Sequence, residues 1–391
     1  MQRSAQYATW LEIDLSAIES NVRLVQQRSG TAVMAVVKAD GYGHGAVQAA
    51  RAALRGGASW CAVARIEEAL ELRNAGLDCP LLLLGYIPAG MLEHAIARDV
   101  SLTVWDSQGV QAASEAARRV GRSARLHLKV DTGMSRLGAQ PEQAVSLAQE
   151  IVHQPNVSFE GLFTHFARAD EAHSSVSDIQ ETLFRDLLAK LERAGLRPSL
   201  VHAANSAASL FRPGAAFDLV RPGIVIYGLE VSPTQPLPPG FRPALAWKAV
   251  LSQVKVLPPG RGVSYGHEYV TTAYERIGTV PLGYADGIRW GRPNEVLIAG
   301  RRVPVVGRVC MDQLMVQLDA VPEARPGDEV VLIGSQGEER ISAEEVARRW
   351  GTINYEVVVG IGRRVPRLYH WQGESPPEAL PDEASESKPG D

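Results

Sequence analysis

The sequence predicts an α/β fold, namely a (β/α)8 barrel of the TIM type followed by a mostly β carboxyl-terminal domain. Three observations support this prediction. Apolar runs alternate with helical stretches up to about residue 228, and several of these runs are apolar on both faces. A proline-rich connector at 230–243 then leads into a half with strand-like runs and almost no helix. Strands that are apolar on both faces are typical of parallel sheets covered by helices.

The first half contains eight strand-like runs. In chain order they are TAVMAVVK, SWCAVA, PLLLLGY, SLTVWD, RLHLKVD, FEGLFTHF, LVHAAN and LVRPGIVIYG. The stretches between them fit helices, such as RIEEALELRNAG, in which Ile66, Ala69 and Leu70 follow a helical period and Gly76 can end the helix. Eight units favour a closed barrel at 12–230 over an open doubly wound sheet, because the Gly-rich dinucleotide motif of such sheets does not fit here.

The second half is predicted to be a β domain formed by residues 1–11 and 240–371. Its strand-like runs are ALAWKAVLSQVKVL, ERIGTVPLG, EVLIAGRRVPVVGRV, DQLMVQL and EVVLIG, and TWLEIDL near the start is expected to pair with them. Only SAEEVARRWG is predicted to be helical, with Ser342 as its cap and Gly351 as its stop. The proline-rich, acidic tail at 373–391 is predicted to be disordered.

Charge and composition exclude several classes of protein. The net charge is −4, but the last 19 residues hold six acids and one lysine, so the remainder has no basic surplus for nucleic acid. No apolar run approaches the roughly 20 residues that span a bilayer. The amino terminus lacks a secretory signal, and the spacing of the three cysteines fits neither a disulfide framework nor a zinc site. We therefore expect a cytoplasmic protein with no metal, no nucleic acid and no membrane partner.

Polar groups converge where the barrel strands end. In such barrels the carboxyl ends of the strands form the functional opening. The residues predicted to lie there are Lys38, Lys129, Asp131, His165, Asn205, Ser206 and Arg221. A lone strand-end lysine is usually a solvated surface group, and a lone histidine is usually a hydrogen-bonded core residue. The clustering of these polar residues at one end of the barrel favours a functional site, because polar residues placed by chance would be distributed over both ends.

An anion site is predicted beside the lysine. The segments ANSAAS and RPGIVIYG bracket the last two strands, where such barrels often bind phosphate. No GK[ST] sequence follows, which disfavours nucleoside triphosphates. A strand-end lysine that faces a phosphate site suits a Schiff base with pyridoxal 5′-phosphate. It also suits a sugar-phosphate aldolase, and barrel geometry alone does not separate the two.

The motifs resemble those of the alanine racemase family. AVVKADGYGHGA at 35–46 is similar to the cofactor-lysine motif of that family. Further similar motifs follow in the family's order: KVDTGMSRLG, HFARAD, ANSAAS, RPGIVIYG, VSYGHEY, PLGYADG, GRVCMDQ and INYEVVVGIGRRVPR. Together they span nearly the whole chain except the acidic tail. The resemblance implies a barrel followed by a β domain, a head-to-tail homodimer, pyridoxal 5′-phosphate and the interconversion of L- and D-alanine.

The resemblance also assigns residues to the cofactor. Lys38 would bind it covalently, His165 would pack beside the pyridine ring, and Arg221 would lie at the ring nitrogen. The implied phosphate ligands are Tyr42, Ser206, Gly223, Ile224 and Tyr355. An arginine does not readily release a proton, so the ring nitrogen would stay largely unprotonated.

Two further assignments concern the substrate and the protons. The resemblance implies that Arg136 and the Met311 backbone contact the substrate. Lys38 would transfer a proton on one face of the α-carbon, and Tyr265 of the partner subunit on the other. The resemblance further suggests that Lys129 is carbamylated, which would turn a like-charge pair with Arg136 into a salt bridge.

Three rival interpretations remain at this point. A non-catalytic pyridoxal-phosphate carrier would not need a β domain, and a decarboxylase on the same plan would be expected to place an acid opposite the ring nitrogen. A racemase for serine, lysine or several amino acids is closer. The implied entrance residues are Tyr265, Tyr284, Tyr355, Ile353, Arg308 and Asp170. A tyrosine-crowded entrance favours a methyl side chain, hence alanine, with D-alanine serving either peptidoglycan synthesis or catabolism.

Overall fold

The first strand, β1 (Thr9–Asp14), belongs to the sheet of the carboxyl-terminal half. The chain is described by a computed structural model over residues 6–291 and 294–371. Strand β1 runs antiparallel to Leu245–Val250 and parallel to Arg367–His370. The expected pairing of TWLEIDL with the β domain is confirmed, and the strand extends across the predicted boundary at residue 12.

Eight parallel strands form the barrel that the sequence predicts. They are β2 (Ala32–Val36), β3 (Trp60–Val63), β4 (Leu81–Leu83), β5 (Val100–Val104), β6 (Ala124–Lys129), β7 (Val157–Phe163), β8 (Leu200–His202) and β9 (Leu219–Val220). Neighbours in the chain pair in parallel from β2 to β8, and β9 pairs with β2. Between β8 and β9, backbone hydrogen bonds from Asp218 N to Val201 O and from Arg221 N to Ala204 O nearly close the barrel.

Helices cover the outside of the barrel. They are Leu15–Ser29, Ala46–Arg55, Ile66–Asn74, Leu92–Ala97, Ser107–Val120, Pro141–His153, Ser175–Arg193 and Ser206–Phe211. The first is capped by Asp14, whose carboxylate accepts the Ala17 N–H, and ends at Gly30 in a left-handed conformation. The helix predicted to stop at Gly76 ends at Asn74, with Gly76 at φ +77°. The inner ring of strands and the outer layer of helices therefore agree with the alternation that the sequence pattern predicts.

The eighth barrel strand is shorter than predicted. Of LVRPGIVIYG, only Leu219 and Val220 form a strand, and Ile224–Tyr227 is a short 3-10 helix. Pro222 has no N–H to donate to a sheet, and Gly223 adopts φ −112° and ψ −96°. The chain therefore leaves the barrel wall at Arg221, and Ile226 O accepts a hydrogen bond from Asn21 of the first outer helix.

The second half is mostly antiparallel β structure, in one large sheet and one separate two-stranded sheet. Its strands are β10 (Leu245–Val250), β11 (Gln253–Leu257), β12 (Gly262–Val263), β13 (Tyr269–Val270), β14 (Glu275–Val280), β15 (Glu295–Ile298), β16 (Arg301–Val306), β17 (Leu314–Gln317), β18 (Glu329–Gln336), β19 (Glu339–Ile341) and β20 (Arg367–His370). The main order is β11-β14-β17-β16-β15-β18-β10-β1-β20. The predicted β domain is confirmed.

The β domain contains one more helix than predicted. Ala343–Trp350 is helical, capped by Ser342 and stopped by Gly351, as expected. The expectation that it would be the only helix is wrong, because Asn354–Val359 forms a second one. Its β-branched and aromatic residues favour a strand locally. Tertiary packing decides otherwise: the helix lies against Gly43, where an added Cβ would overlap the Val358 carbonyl.

The predicted acidic tail at 373–391 lies outside the described residues. Among the helices in 6–291 and 294–371, none has the length and apolar character needed to cross a membrane.

Candidate active site

A cavity of about 680 Å³ opens at the carboxyl ends of the barrel strands. The start of the helix Asn354–Val359 also lines it. Nine of the twelve predicted site residues contribute to its wall: Lys38, Tyr42, Lys129, Arg136, His165, Ser206, Arg221, Gly223 and Tyr355. The other three do not line it. Ile224 is buried just behind Gly223, whereas Tyr265 and Met311 are exposed on the β domain.

A left-handed turn directly after β2 sets the position of Lys38. Residues 39–43 all have positive φ, between 52° and 80°. Each of the three non-glycine residues costs about 1–2 kcal/mol in this conformation. Two carboxylates hold the turn: Glu68 accepts the Ala39 N–H at 2.6 Å, and Asp40 accepts the Ala46 N–H at 3.0 Å. The turn brings the Lys38 amine to 6.0 Å from the centre of the Tyr42 ring, so both face the cavity.

The surroundings of Lys38 favour its neutral form. Burial and the nearby Arg136 cation lower the pKa of the Lys38 amine, and Glu68 opposes this shift. A neutral amine is the form that attacks an aldehyde carbon or accepts a proton.

Arg221 lies at the end of β9 and is buried under the cavity floor. Its guanidinium donates to the carbonyls of Thr164 at 2.7 Å and Ala203 at 3.1 Å. It also contacts Nδ1 of His202 at 2.8 Å and Nδ1 of His165 at 3.4 Å. Burial lowers the pKa of Arg221 to about 9, but this value still leaves a cation at neutral pH. The contacts fix a charged donor at the base of the site.

Burial and the adjacent Arg221 cation lower the pKa of His165 well below its usual range. The imidazole is therefore neutral. A neutral flat ring on the cavity wall is suited to pack against an aromatic ligand.

Lys129 and Arg136 form a pair of like charges. Burial, then Arg136, lowers the pKa of Lys129 to about 8, and Lys129 is only 5% exposed. Arg136 lies on a loop that the Asp131 carboxylate holds through the backbone N–H groups of 133–135, at 2.9 to 3.0 Å. Burial tends to raise the pKa of Asp131, but these donors outweigh it and hold the pKa below its usual range. An ionised Asp131 thus keeps Arg136 beside Lys129.

An uncharged cluster of donors forms another part of the cavity wall. The Gly223 N–H donates to the Ser206 hydroxyl at 2.8 Å, and the Tyr42 hydroxyl lies so close to Gly223 that an added Cβ would overlap it. The rings of Tyr42 and Tyr355 are 6.1 Å apart. Burial raises the pKa of both tyrosines, so their hydroxyls stay protonated and can donate. Hydroxyl and backbone donors without a lysine clamp fit a phosphate monoester.

Two of the predicted site residues on the β domain, Tyr265 and Met311, do not line this cavity. Tyr265 is 71% exposed and Met311 is 53% exposed. Tyr265 sits in a tight turn in which Ser264, Gly266 and His267 have positive φ. Within one chain, the structure does not bring these two side chains to Lys38.

Of the six residues implied to form the entrance, three line the cavity and three do not. Asp170, Ile353 and Tyr355 line the cavity. Tyr265, Tyr284 and Arg308 do not, and both tyrosines are exposed.

Four polar residues near the site were not predicted from the sequence: Glu68, His127, Glu160 and His202. For His127 a signal existed, because in LHLKV it precedes Lys129 by two residues, and alternate side chains of a strand share a face. Glu68 had no such signal, since its role depends on the left-handed turn across from it.

Comparison of the sequence with known families identifies both halves. Residues 13–231 match the alanine racemase N-terminal domain, and residues 244–369 match the alanine racemase C-terminal domain. The alanine racemase of Symbiobacterium thermophilum is 46% identical over 364 residues, which cover 92% of this chain and 97% of that protein. Alanine racemase 1 of Bacillus subtilis is 45% identical, with 92% of each chain covered.

Solved structures agree with the sequence matches. The alanine racemase of Streptomyces lavendulae superposes with a TM-score of 0.88 at 42% identity, covering 93% of this chain and 97% of that one. The alanine racemase of Bacillus anthracis with bound L-Ala-P gives a TM-score of 0.87 at 40% identity, covering 94% and 96%. Sequence and structure match these proteins across both domains, and the chain therefore belongs to the alanine racemase family.

Proposed function

We propose that this chain is a pyridoxal 5′-phosphate-dependent alanine racemase that interconverts L-alanine and D-alanine. The observation that carries the proposal is the half-buried Lys38 amine, which shares one cavity with the Arg221 cation and with uncharged donors suited to phosphate. The Bacillus anthracis relative was solved with L-Ala-P bound, which supports an alanine-sized substrate.

Pyridoxal phosphate, when bound, supplies an electron-withdrawing ring that acidifies the α-carbon of an amino acid. Lys38 would hold its aldehyde carbon covalently, and the neutral His165 ring and the Arg221 cation would hold the pyridine ring. The proposed phosphate ligands are Tyr42, Ser206, Gly223, Ile224 and Tyr355.

Racemisation removes the α-proton from one face and returns a proton to the other. Because its pKa is lowered, the Lys38 Nζ is better suited than an ordinary lysine amine to accept or donate a proton on one face. The hydroxyl of Tyr265 in a second copy is proposed for the opposite face. The exposure of Tyr265, away from the cavity of its own chain, supports a homodimer that shares its sites.

Arg136 is proposed to bind the substrate on its carboxylate side, together with the Met311 backbone of the partner. Lys129 is proposed to be a carbamate: its neutral amine attacks CO2, a C–N bond forms, and the released proton goes to solvent. The lowered pKa of Lys129 supplies the neutral amine, and the adjacent Arg136 stabilises the resulting anion.

Alanine is preferred over larger amino acids because tyrosines crowd the proposed entrance. A racemase of broader specificity on the same site is the alternative. Cytoplasmic location and the supply of D-alanine for peptidoglycan stay predictions.

The deciding experiment is chiral analysis of the products after purified protein is incubated with L-alanine alone. We expect an approach to an equal mixture of enantiomers, lost in Lys38→Ala. Parallel incubations with L-serine and L-lysine measure specificity. If no amino acid racemises while pyridoxal absorbance persists, the carrier interpretation replaces this proposal.

A further inference from the structure

We infer that Glu160 is a remote positioning residue for Arg221, acting through His127 and His202 inside the barrel. This inference deepens the proposed function and rests on it for the contact between Arg221 and the cofactor ring. The four side chains form one continuous series of hydrogen bonds from the cavity floor into the barrel.

The series has three links of ordinary length. Arg221 Nη1 lies 2.8 Å from His202 Nδ1. His202 Nε2 lies 2.9 Å from His127 Nδ1. His127 Nε2 lies 3.0 Å from the Glu160 carboxylate. Each imidazole thus uses one nitrogen toward Arg221 and the other toward Glu160.

The two ends of the series determine where its protons lie. A guanidinium can only donate, so His202 Nδ1 must accept and carries no proton. The proton of a neutral His202 is then on Nε2 and is donated to His127 Nδ1. The proton of His127 is in turn on Nε2 and is donated to Glu160. A carboxylate at the far end fits this direction, since an ionised carboxylate only accepts.

The surroundings support neutral rings and an ionised acid. Both histidines are fully buried, and burial lowers the pKa of each. Burial tends to raise the pKa of Glu160, but His127 and the Ser101 hydroxyl at 2.5 Å outweigh it and lower the pKa. Arg125 lies 3.5 Å from the same carboxylate.

Packing fixes the planes of both rings. Phe163 stacks on His202 with ring centres 4.8 Å apart and planes 9° apart. Trp60 meets His127 edge-on, with ring centres 5.7 Å apart. With the ring planes fixed, the only remaining variable for each neutral histidine is its tautomer, that is, which ring nitrogen carries the proton. The Arg221 guanidinium favours an acceptor at His202 Nδ1. Glu160 adds to that preference from the far end, because its carboxylate requires a donor at His127 Nε2.

The tautomer of His202 determines whether Arg221 keeps a hydrogen-bond acceptor. If His202 carried its proton on Nδ1, a donor would face the guanidinium, and Arg221 would lose its 2.8 Å acceptor. Arg221 would then shift from the place where the proposed function needs it. Partners that set the tautomer of metal-ligating histidines change affinity or activity about 10-fold to 100-fold when removed, and we expect an effect at the lower end of that range here.

The first test is ¹⁵N NMR of histidine-labelled protein at pH 7, in the absence of substrate. His127→Asn and His202→Asn variants assign the two signals. We expect both histidines to be neutral with the proton on Nε2. In Glu160→Leu we expect the Nδ1-protonated form of His202 to appear, and in Glu160→Gln, whose amide oxygen can accept, we expect the wild-type pattern. Glu329→Leu, which removes a carboxylate bound to Lys248 in the β domain, is the control and leaves both signals unchanged.

The second test is kinetic. Glu160→Leu is expected to lower kcat about 10-fold with little change in KM, and to raise the ratio of pyruvate released by transamination to alanine racemised. Glu160→Gln is expected to restore both. An Nδ1-protonated or doubly protonated His127 or His202 in the wild-type protein would overturn the inference, as would unchanged tautomers and an unchanged ratio in Glu160→Leu. The NMR result needs no turnover, so failure of the proposed racemase would show as absent activity with the tautomers intact.

Discussion

The barrel mouth and the turn around Tyr265 contribute to the proposed site in different ways. At the barrel mouth, nine predicted residues line one cavity within a single chain. On the β domain, Tyr265 and Met311 lie on the surface, 71% and 53% exposed. The first group therefore shares one cavity within the chain, whereas the second group can take part in the proposed site only if a second copy binds there, as the proposed homodimer requires.

Strand geometry explains this difference. Parallel strands of a closed barrel end at one rim, so residues far apart in the chain meet there. The β-domain sheet has no such common rim, and the turn around Tyr265 lies on its surface, away from the cavity of the same chain.

The largest effect is expected for Lys38→Ala. Loss of the amine removes both the covalent link to the cofactor and one proton-transfer group, so racemisation should fall at least about 10³-fold. Chiral analysis measures the loss, and circular dichroism checks folding. Lys190→Ala, which removes an exposed lysine from the helix Ser175–Arg193, should keep wild-type activity. Comparable activity in Lys38→Ala would contradict the assigned role.

The second prediction concerns Tyr265→Ala. Loss of a general acid–base group should lower racemisation about 10²–10⁴-fold. Tyr274→Ala, which changes a tyrosine that is 74% exposed on the same domain, should have little effect.

Mixing the two inactive variants then tests the shared site. In a hybrid dimer of Lys38→Ala and Tyr265→Ala subunits, one site carries both defects and the other carries none. Equal mixing, with subunit exchange, should restore about a quarter of wild-type activity if sites are shared, since half of the dimers hold one intact site. No restored activity in hybrids confirmed by native mass spectrometry would place both residues in one chain.

Arg221→Glu should change the balance between transamination and racemisation more than the overall rate of turnover. A carboxylate at the ring nitrogen would favour its protonation and a stronger electron sink, so the ratio of transamination to racemisation should rise. Pyruvate release and chiral analysis measure the two reactions. Arg221→Lys keeps the cation and should change this ratio less. An unchanged ratio in Arg221→Glu would defeat this account.

The smallest effect is expected for Lys129. Its pKa of about 8 in the fold means that the amine becomes protonated as the pH falls below 8, and a protonated amine cannot react with CO2. Intact mass measured in bicarbonate should show one added CO2 at pH 8.5 that is lost on acidification, and no added CO2 in Lys129→Met. Lys255→Met, which removes an exposed lysine, should leave the added mass in place. An unmodified Lys129 at pH 8.5 would contradict the proposal.

The same pKa also sets the sign of one contribution to stability. Because the pKa of Lys129 is lowered in the folded state, the unfolded chain binds more protons between about pH 8 and 10.5. The contribution of Lys129 to the free energy of unfolding therefore rises with pH in that window.

The amino-acid sequence by itself determined the order of strands and helices, the change to a β domain after the proline-rich connector, and the strand-end position of Lys38. These features are local, because the period of apolar residues and the positions of glycine and proline are properties of short segments. The polar groups at strand ends could be found for the same reason, once a barrel was assumed.

Only the tertiary structure decided the rest. The left-handed turn at 39–43 has a backbone conformation that local preferences disfavour. Glu68, which lies on another element, compensates for this strain by accepting the Ala39 N–H. The helix Asn354–Val359 forms against local propensity because it packs on Gly43. The contacts from Arg221 to Glu160 join side chains from three strands and the residue after a fourth. Such contacts depend on which strands become neighbours, and a single sequence carries no direct signal of that.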